Sequence, residues 1–295
     1  MATASSPPRS SRQAARRAES RAGDHRVRPE RRSSLVYLAA LASLPLLIYL
    51  LAPILGLMAR ITPRSYACCW EAASALRLSL FTASISLVIA ILIGTPVAYW
   101  LSHYHFRGKD VIDTLIDLPL VLPPVAAGLA LLLLYGQQGF GALLATHDLR
   151  LSFTRAAVVM AQVFVASPFY VKQARAGFEA VPRELRLASA TLGAGPLRTF
   201  FRVTVPLASH ALIAGAVMTW ARALGEFGAT LMFAGAFPGR TETMPVAIYT
   251  PASAGTEEGL RTSIALAVVL VVVSFAVIVL ARRLAGRTLY LTPTA

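Results

Sequence analysis

A chain of 295 residues that is 56% hydrophobic and only 14% charged, with a mean hydropathy of +0.62, is no ordinary soluble domain, where about a quarter of residues carry charge. Its charges fall in short stretches, and the runs between them exceed the roughly 20 mostly apolar residues a helix needs to cross a bilayer, so the class is an all-α polytopic membrane protein. The net charge of +14 is concentrated, and the two cysteines, Cys68 and Cys69, are adjacent, which suits neither a disulfide nor a metal site.

Residues 1–34 contain nine arginines between Arg9 and Arg32 in a tail rich in Ser, Ala and Pro, without apolar periodicity. Such a segment buries too little apolar surface to fold, so disorder is expected. The tail reads as a cytoplasmic segment held inside by its charge rather than as a nucleic-acid arm. Six apolar runs follow, at 35–59, 76–101, 115–135, 155–175, 209–234 and 262–281. The first is longer than the roughly 7–15-residue apolar core of a signal peptide, so it reads as an extra, retained transmembrane helix.

Near the start of the third run, LPLVLPP contains Pro119, Pro123 and Pro124. Prolines remove ladder hydrogen bonds, so the helix should kink or unwind where protein rather than lipid surrounds it. Pro123 and Pro124 are thereby candidates for a hinge or gate. His103 and His105, at a membrane edge, are too few for a metal site.

Lysine and arginine placement sets the orientation. With the N-terminus inside, twenty of the 28 Lys and Arg residues fall on the inner side and seven on the outer, with Arg222 inside a span. Both termini are then cytoplasmic, and the longest inner connection is 176–208.

That connection begins FEAVPRELRLASATLG. Pro182 suits a first helical turn and Gly193 a C-terminal cap. Val181, Leu185, Ala188 and Leu192 share one narrow face. After the reversal at AGP, Pro196 can open a second short helix through LRTFFRV, with Pro206 at the start of the fifth span. The expected product is a helix, a Gly turn and another helix at the membrane surface. It could rest on lipid headgroups or insert into a protein groove, and the narrow face favours the groove slightly.

The fifth run contains TWARALGEFGATLMF. Arg222 and Glu226, four apart, can offset each other's charge. Intramembrane ionisable residues usually face a cavity or bundle interior, and a structural pair and a pathway pair are equally compatible with the spacing. Ala221, Gly225, Gly228 and Ala229 form a small-residue stripe that permits close helix approach.

No phosphate-cradling G-x4-G-K-[ST] motif is present, nor HEXXH or GXSXG. No catalytic residue is therefore nominated, and energy from ATP must come from another subunit.

A family resemblance joins these features. Ala188, Ser189, Gly193, Val203, Val205 and Pro206 are similar to the E-A-A-x3-G-x9-I-x-L-P loop of ABC-importer permeases of the type I class, with Leu187 at the acidic position and Glu184 the nearest upstream acid. LPLVLPPVAAG, ALGEFGATLMFAG and PGRTETMPVAIY resemble the molybdate permeases in particular, and sulfate permeases share the GEFGA core. The resemblance spans about 70–285 and leaves the tail and first span outside.

It implies six transmembrane helices with a cytoplasmic coupling helix between spans four and five, in a coupling loop built on Glu184, Leu187, Ala188, Ser189, Gly193, Ala194, Val203 and Pro206. It further implies a homodimer of permeases in the cytoplasmic membrane, with a pathway or gate near Arg222, Gly225, Glu226, Gly228, Pro123 and Pro124. Two cytoplasmic ATPase subunits carrying ATP and Mg would drive it, and an extracytoplasmic molybdate-binding protein would deliver the oxyanion. No cofactor or metal bound by this chain itself is expected. Sulfate or tungstate cargo, an ATP-independent secondary transporter and a non-transporting scaffold are the rivals.

Overall fold

The computed structural model describes residues 34–60, 69–136, 139–146 and 150–289. The Arg-rich tail expected over 1–34 lies outside them up to residue 33, as does Cys68. The helices are α1 (Ser34–Ala59), α2 (Cys69–His103), α3 (Lys109–Val121), α4 (Pro124–Tyr135), α5 (Phe140–Ala145), α6 (Arg155–Glu179), α7 (Arg183–Thr191), α8 (Pro196–Thr199), α9 (Val205–Leu224), α10 (Gly228–Ala234), α11 (Met244–Ser253) and α12 (Glu257–Leu289). A π-helical turn, Phe200–Thr204, joins α8 to α9. No strand occurs among the described residues.

The chain divides into two units at residue 59. The first contains α1, an apolar helix of 26 residues that coincides with the expected first span. The second holds all the other helices and is built around α6, which packs against α2, α3, α4, α9 and α10.

Among the described residues, five helical stretches are long and apolar enough to cross a membrane: Val36–Ala59, Ala73–His103, Pro124–Leu143, Pro196–Leu224 and Glu257–Leu280. The expected fourth span, 155–175, is not among them, although α6 has 25 residues, about 37 Å at 1.5 Å per residue. The reason is physical. Ala157, Ala161, Val165, Ala174 and Phe178 are buried, so α6 meets protein on most sides and can carry Gln162, Lys172, Gln173 and Arg175. Ser86 donates its hydroxyl hydrogen to Gln162 Oε1 at 3.0 Å, a polar contact hidden within the α2–α6 interface. The lipid-type surface lies instead on helices such as α2, where Phe81, Val88, Leu92 and Ile93 are exposed.

The third and fifth apolar runs are each broken. The 115–135 run divides at Leu122–Pro123 into the end of α3 and the whole of α4, as the prolines lead one to expect. Its first part, α3, is amphipathic rather than transmembrane. Val111, Leu115 and Val121 are exposed, while Asp113 and Asp117 turn to α6, where Arg175 Nη1 and Lys172 Nζ meet them, the latter at 2.9 Å. The 209–234 run divides at Gly225–Phe227 into α9 and α10.

The two half-helices that follow these breaks, α4 and α10, cross in backbone contact. A Cβ on Gly128 would sit 2.7 Å from the Ala229 Cα, and one on Gly228 would sit 2.9 Å from Pro124 Cβ. Ala127 and Leu131 of α4, Ala157 and Val158 of α6, and Ala229 and Phe233 of α10 form one buried cluster. The small-residue stripe expected in the fifth span is thus used within the chain at Gly228 and Ala229, whereas Gly225 is exposed.

A side chain at the crossing has no room to relax because its neighbour is main chain. Gly128→Val should therefore destabilise the domain by about 1–3 kcal/mol, read as a fall of several degrees in thermal unfolding of the detergent-solubilised chain. Gly195→Ala, with nothing within 4 Å of the added carbon, should leave that midpoint nearly unchanged.

Candidate functional site

Two regions gather the residues singled out in the sequence. The first is the connection between α6 and α9, which forms as expected: helix, Gly turn, helix. Glu184 lies in the first turn of α7, where a carboxylate favours the positive helix end. Gly193 has φ +80°, a left-handed conformation that any side chain would strain. Its N–H donates to Ala190 O at 2.9 Å, and the Ala194 N–H to Ser189 O at 3.1 Å, so the last turn of α7 is closed locally. The Ser189 hydroxyl meets that of Thr199 at 3.0 Å and ties α7 to α8.

No residue of α7 is buried. Leu185, Leu187, Leu192 and Leu197 are all exposed, Leu192 at 87%, and Glu184 and Ala188 are exposed with them. Val181 departs from the expected shared face: it precedes α7 and is buried with Phe178 and Ala208. The hairpin thus presents leucines while its base is sunk into the domain.

Aromatic residues that the sequence reading did not single out make this base. Tyr99 of α2 stands edge-on to Phe178 of α6 at 5.6 Å and to Phe200 of the π turn at 4.8 Å. Phe178 and Phe200 also meet at 6.0 Å. Both legs of the hairpin are therefore clamped against α2. Edge-to-face pairs of this kind contribute about 0.5–1.5 kcal/mol each beyond area burial. The available signal was the placement of Phe178 and Phe200 on either side of the surface segment.

Pro206 lies at the exposed start of α9, yet the helix does not restart there. Proline has no N–H to donate and its ring crowds the preceding turn. The π turn before it absorbs the mismatch, with the Val205 N–H donating to Phe200 O. Val203 lies within that turn, half-buried. The result is a continuous rod, Pro196–Leu224, of 29 residues, about 43 Å long.

The second region lies at the far end of that rod. Arg222 Nη1 lies 2.7 Å from Glu226 Oε2, off the line of a hydrogen bond. The pair forms at the expected spacing but not on one helix, because α9 ends at Leu224. Glu226 sits in the break, only 1% exposed, and its Oε1 accepts the Ala229 N–H at 2.9 Å, capping α10. Beside it, Gly228 touches Pro124, next to Pro123 at the head of α4. The structure thus brings Pro123, Pro124, Glu226 and Gly228 together with Arg222. A buried carboxylate that both caps a helix and pairs with an arginine fixes the geometry of the break. Among the described residues there is no cluster of three or more His, Cys, Asp and Glu that could hold a metal.

Residues 87–290 match the family described as binding-protein-dependent transport system inner membrane component, and the chain belongs to that family of integral-membrane permeases. It is 44% identical over 207 residues to a probable molybdenum ABC transporter permease protein of Haloferax volcanii, covering 69% of this chain and 74% of the relative. It is 39% identical over 212 residues to a molybdate/tungstate transport system permease protein of Pyrococcus furiosus, covering 72% and 78%. Among solved structures it is similar to a bacterial alginate ABC transporter in complex with an alginate pentasaccharide-bound periplasmic protein. There the TM-score is 0.68 at 18% identity, over 87% of this chain and 95% of that one, a likeness of fold.

The cap and the charge of Glu226 can be separated. Glu226→Gln keeps an oxygen for the Ala229 N–H, whereas Glu226→Ala leaves a buried donor unsatisfied at about 1–3 kcal/mol. Circular-dichroism melting of the purified chain should show Glu226→Ala clearly less stable than Glu226→Gln; equal midpoints would remove the capping role.

Proposed function

We propose that the chain is the permease subunit of an ATP-driven importer that translocates molybdate, a tetrahedral oxyanion, across the cytoplasmic membrane. The observation that carries the coupling half of this reading is the α7–Gly193–α8 hairpin: an exposed, leucine-bearing surface at the tip, an aromatic clamp at the base, and a continuous rod leading from it to the Arg222–Glu226 break. The names of the two relatives support the cargo, and tungstate, a dianion of the same shape, is carried by the same chemistry.

In this reading six helices cross the membrane, α6 among them as the shielded fourth, and the α7 end faces the cytoplasm with both termini. Two copies of the chain pair, and a cytoplasmic ATPase subunit, holding ATP and Mg, grips the hairpin of each. Glu184, Leu187 and Ala188 meet the ATPase, Ser189, Gly193 and Ala194 hold the hairpin's shape, and Val203 and Pro206 carry it into the rod. An extracytoplasmic protein with an anion site delivers the oxyanion. Closure of the ATPases moves the hairpins, and each rod carries the motion to the break between α9 and α10. Gly225, exposed and unpacked, is the flexible element there. Pro123, Pro124 and Gly228 form the firm crossing against which it moves, and Arg222 neutralises Glu226 so that it does not repel the passing anion.

Gly193→Val tests the coupling. A β-branched residue forced to the left-handed conformation costs roughly 1–2 kcal/mol, enough to deform the hairpin while leaving the distant α4–α10 crossing intact. In cells expressing the whole importer, labelled molybdate uptake should fall about tenfold or more, and the ATPase should cease to co-purify with the permease, at normal permease levels. Unchanged uptake and co-purification would remove the hairpin from the coupling path.

A further inference from the structure

The end of the domain opposite α7 carries a cavity that the transport reading leaves without a role. It has a volume of about 490 Å³, and the described residues that line it include Arg150, Ser152, Thr154 and Arg240, with no carboxylate among those described. Both arginines are exposed residues. Two arginines bordering one cavity raise its positive potential, which favours an anion with charge to share between them. The cavity also adjoins the N-terminus of the 25-residue α6, whose positive end favours the same sign of ligand.

The two loops that bear these arginines are fastened together by groups other than the guanidiniums of Arg150 and Arg240. Arg155 donates from Nη2 to Gly239 O at 3.0 Å and from Nε to Arg240 O at 3.4 Å. The Phe153 N–H donates to Phe233 O at 3.2 Å, and the Phe153 and Phe237 rings meet edge-on at 6.0 Å. The Phe237 N–H donates to Thr241 Oγ1 at 3.2 Å, and that hydroxyl donates to Gly235 O at 3.3 Å. Phe153 has φ 61°, a left-handed conformation that costs a non-glycine residue roughly 1–2 kcal/mol. These contacts hold the loop in that shape, with Arg150 and Ser152 on the same cavity as Arg240. Arg155 is a positioning residue: it spends its donors on the backbone carbonyls of the loop that presents Arg240.

We propose that Arg150, Ser152 and Arg240 form a receiving site for a tetrahedral oxyanion dianion at this end of the domain. Planar guanidinium forks match the spaced oxygens of such an anion and can each give it two hydrogen bonds, and the serine hydroxyl supplies a further donor. The site is open to water and screened by salt, so it holds its ligand weakly, on the order of millimolar. Weak holding suits a way-station, because a site that bound tightly would not release its ion inward. The inference deepens the transport reading: it rests on an oxyanion cargo and on this end facing away from the cytoplasm.

The test uses the full-length chain in lipid nanodiscs, without ATPase or binding protein. Phenylglyoxal modification of each arginine is followed by mass spectrometry in sodium molybdate, sodium acetate or sodium chloride at one ionic strength. Molybdate should slow labelling of Arg150 and Arg240 about threefold or more relative to chloride, as charge-assisted contacts to both require, and leave Arg198 of α8 unchanged. Equal rates in molybdate and chloride, or equal slowing at Arg198, overturn the site. Slowing by acetate as strong as by molybdate overturns it in favour of a surface that recognises carboxylates of a partner protein.

Arg240→Gln should abolish protection of Arg150 without lowering the melting midpoint, because the fastening uses the backbone carbonyl at 240. Protection that persists at Arg150 in that variant contradicts a shared site. Because the assay needs no transport, its failure in a chain that imports molybdate refutes this site alone. Protection in a chain that imports nothing refutes the transport reading alone.

Discussion

Hydrocarbon offers the backbone no hydrogen-bond partner, so a membrane chain may interrupt a helix only where the protein itself satisfies the freed groups. This permease interrupts two, at Leu122–Pro123 and at Gly225–Phe227, and sets the resulting half-helices α4 and α10 against each other. The interruption before α4 is cheap because prolines supply no N–H there. The interruption before α10 depends on Glu226, whose one oxygen caps the new helix while the other faces Arg222. A buried charge is tolerated only because it is paired and bonded. The pair is thus the structural condition for the break between α9 and α10.

The same constraint explains why the chain entering α9 from the hairpin is unbroken. From Pro196 to Leu224 the helix runs on through a π turn, so a displacement at the hairpin reaches Gly225 along a single stiff element. Its base is held by Tyr99, Phe178 and Phe200, and beside it Asp113 and Asp117 of α3 grip Arg175 and Lys172 of α6. These ion pairs are partly exposed and individually contribute little. Their common direction keeps the amphipathic α3 on the flank of α6. The hairpin is thus attached firmly at its base and exposed at its tip.

Much of this could be read from residue types. Proline spacing in LPLVLPP located the first break, Gly193 the turn of the hairpin, and the four-residue interval between Arg222 and Glu226 their contact. What escaped depends on side-chain contacts that hydropathy does not register, some local and some between partners distant in sequence. A run of apolar residues over 209–234 reads as one helix because hydropathy cannot register that Glu226 bonds forward to Ala229. The 115–135 run hides α3 because its carboxylates find their cations some 55 and 62 positions away. Conversely, α6 carries polar residues that weaken its membrane signature, since protein rather than lipid surrounds it. Tyr99, Phe178 and Phe200 are ordinary aromatics until the fold brings them together.

In the proposed importer the hairpin tip is the contact surface for a nucleotide-driven partner. A photo-crosslinking amino acid at position 192, where the native leucine is 87% exposed, probes that contact in the whole importer in membranes. A covalent adduct should form with a cytoplasmic ATPase subunit, and its yield should change between nucleotide-free and ATP-bound states. Adducts to lipid or to an extracytoplasmic protein alone, with none to an ATPase in either state, would contradict it.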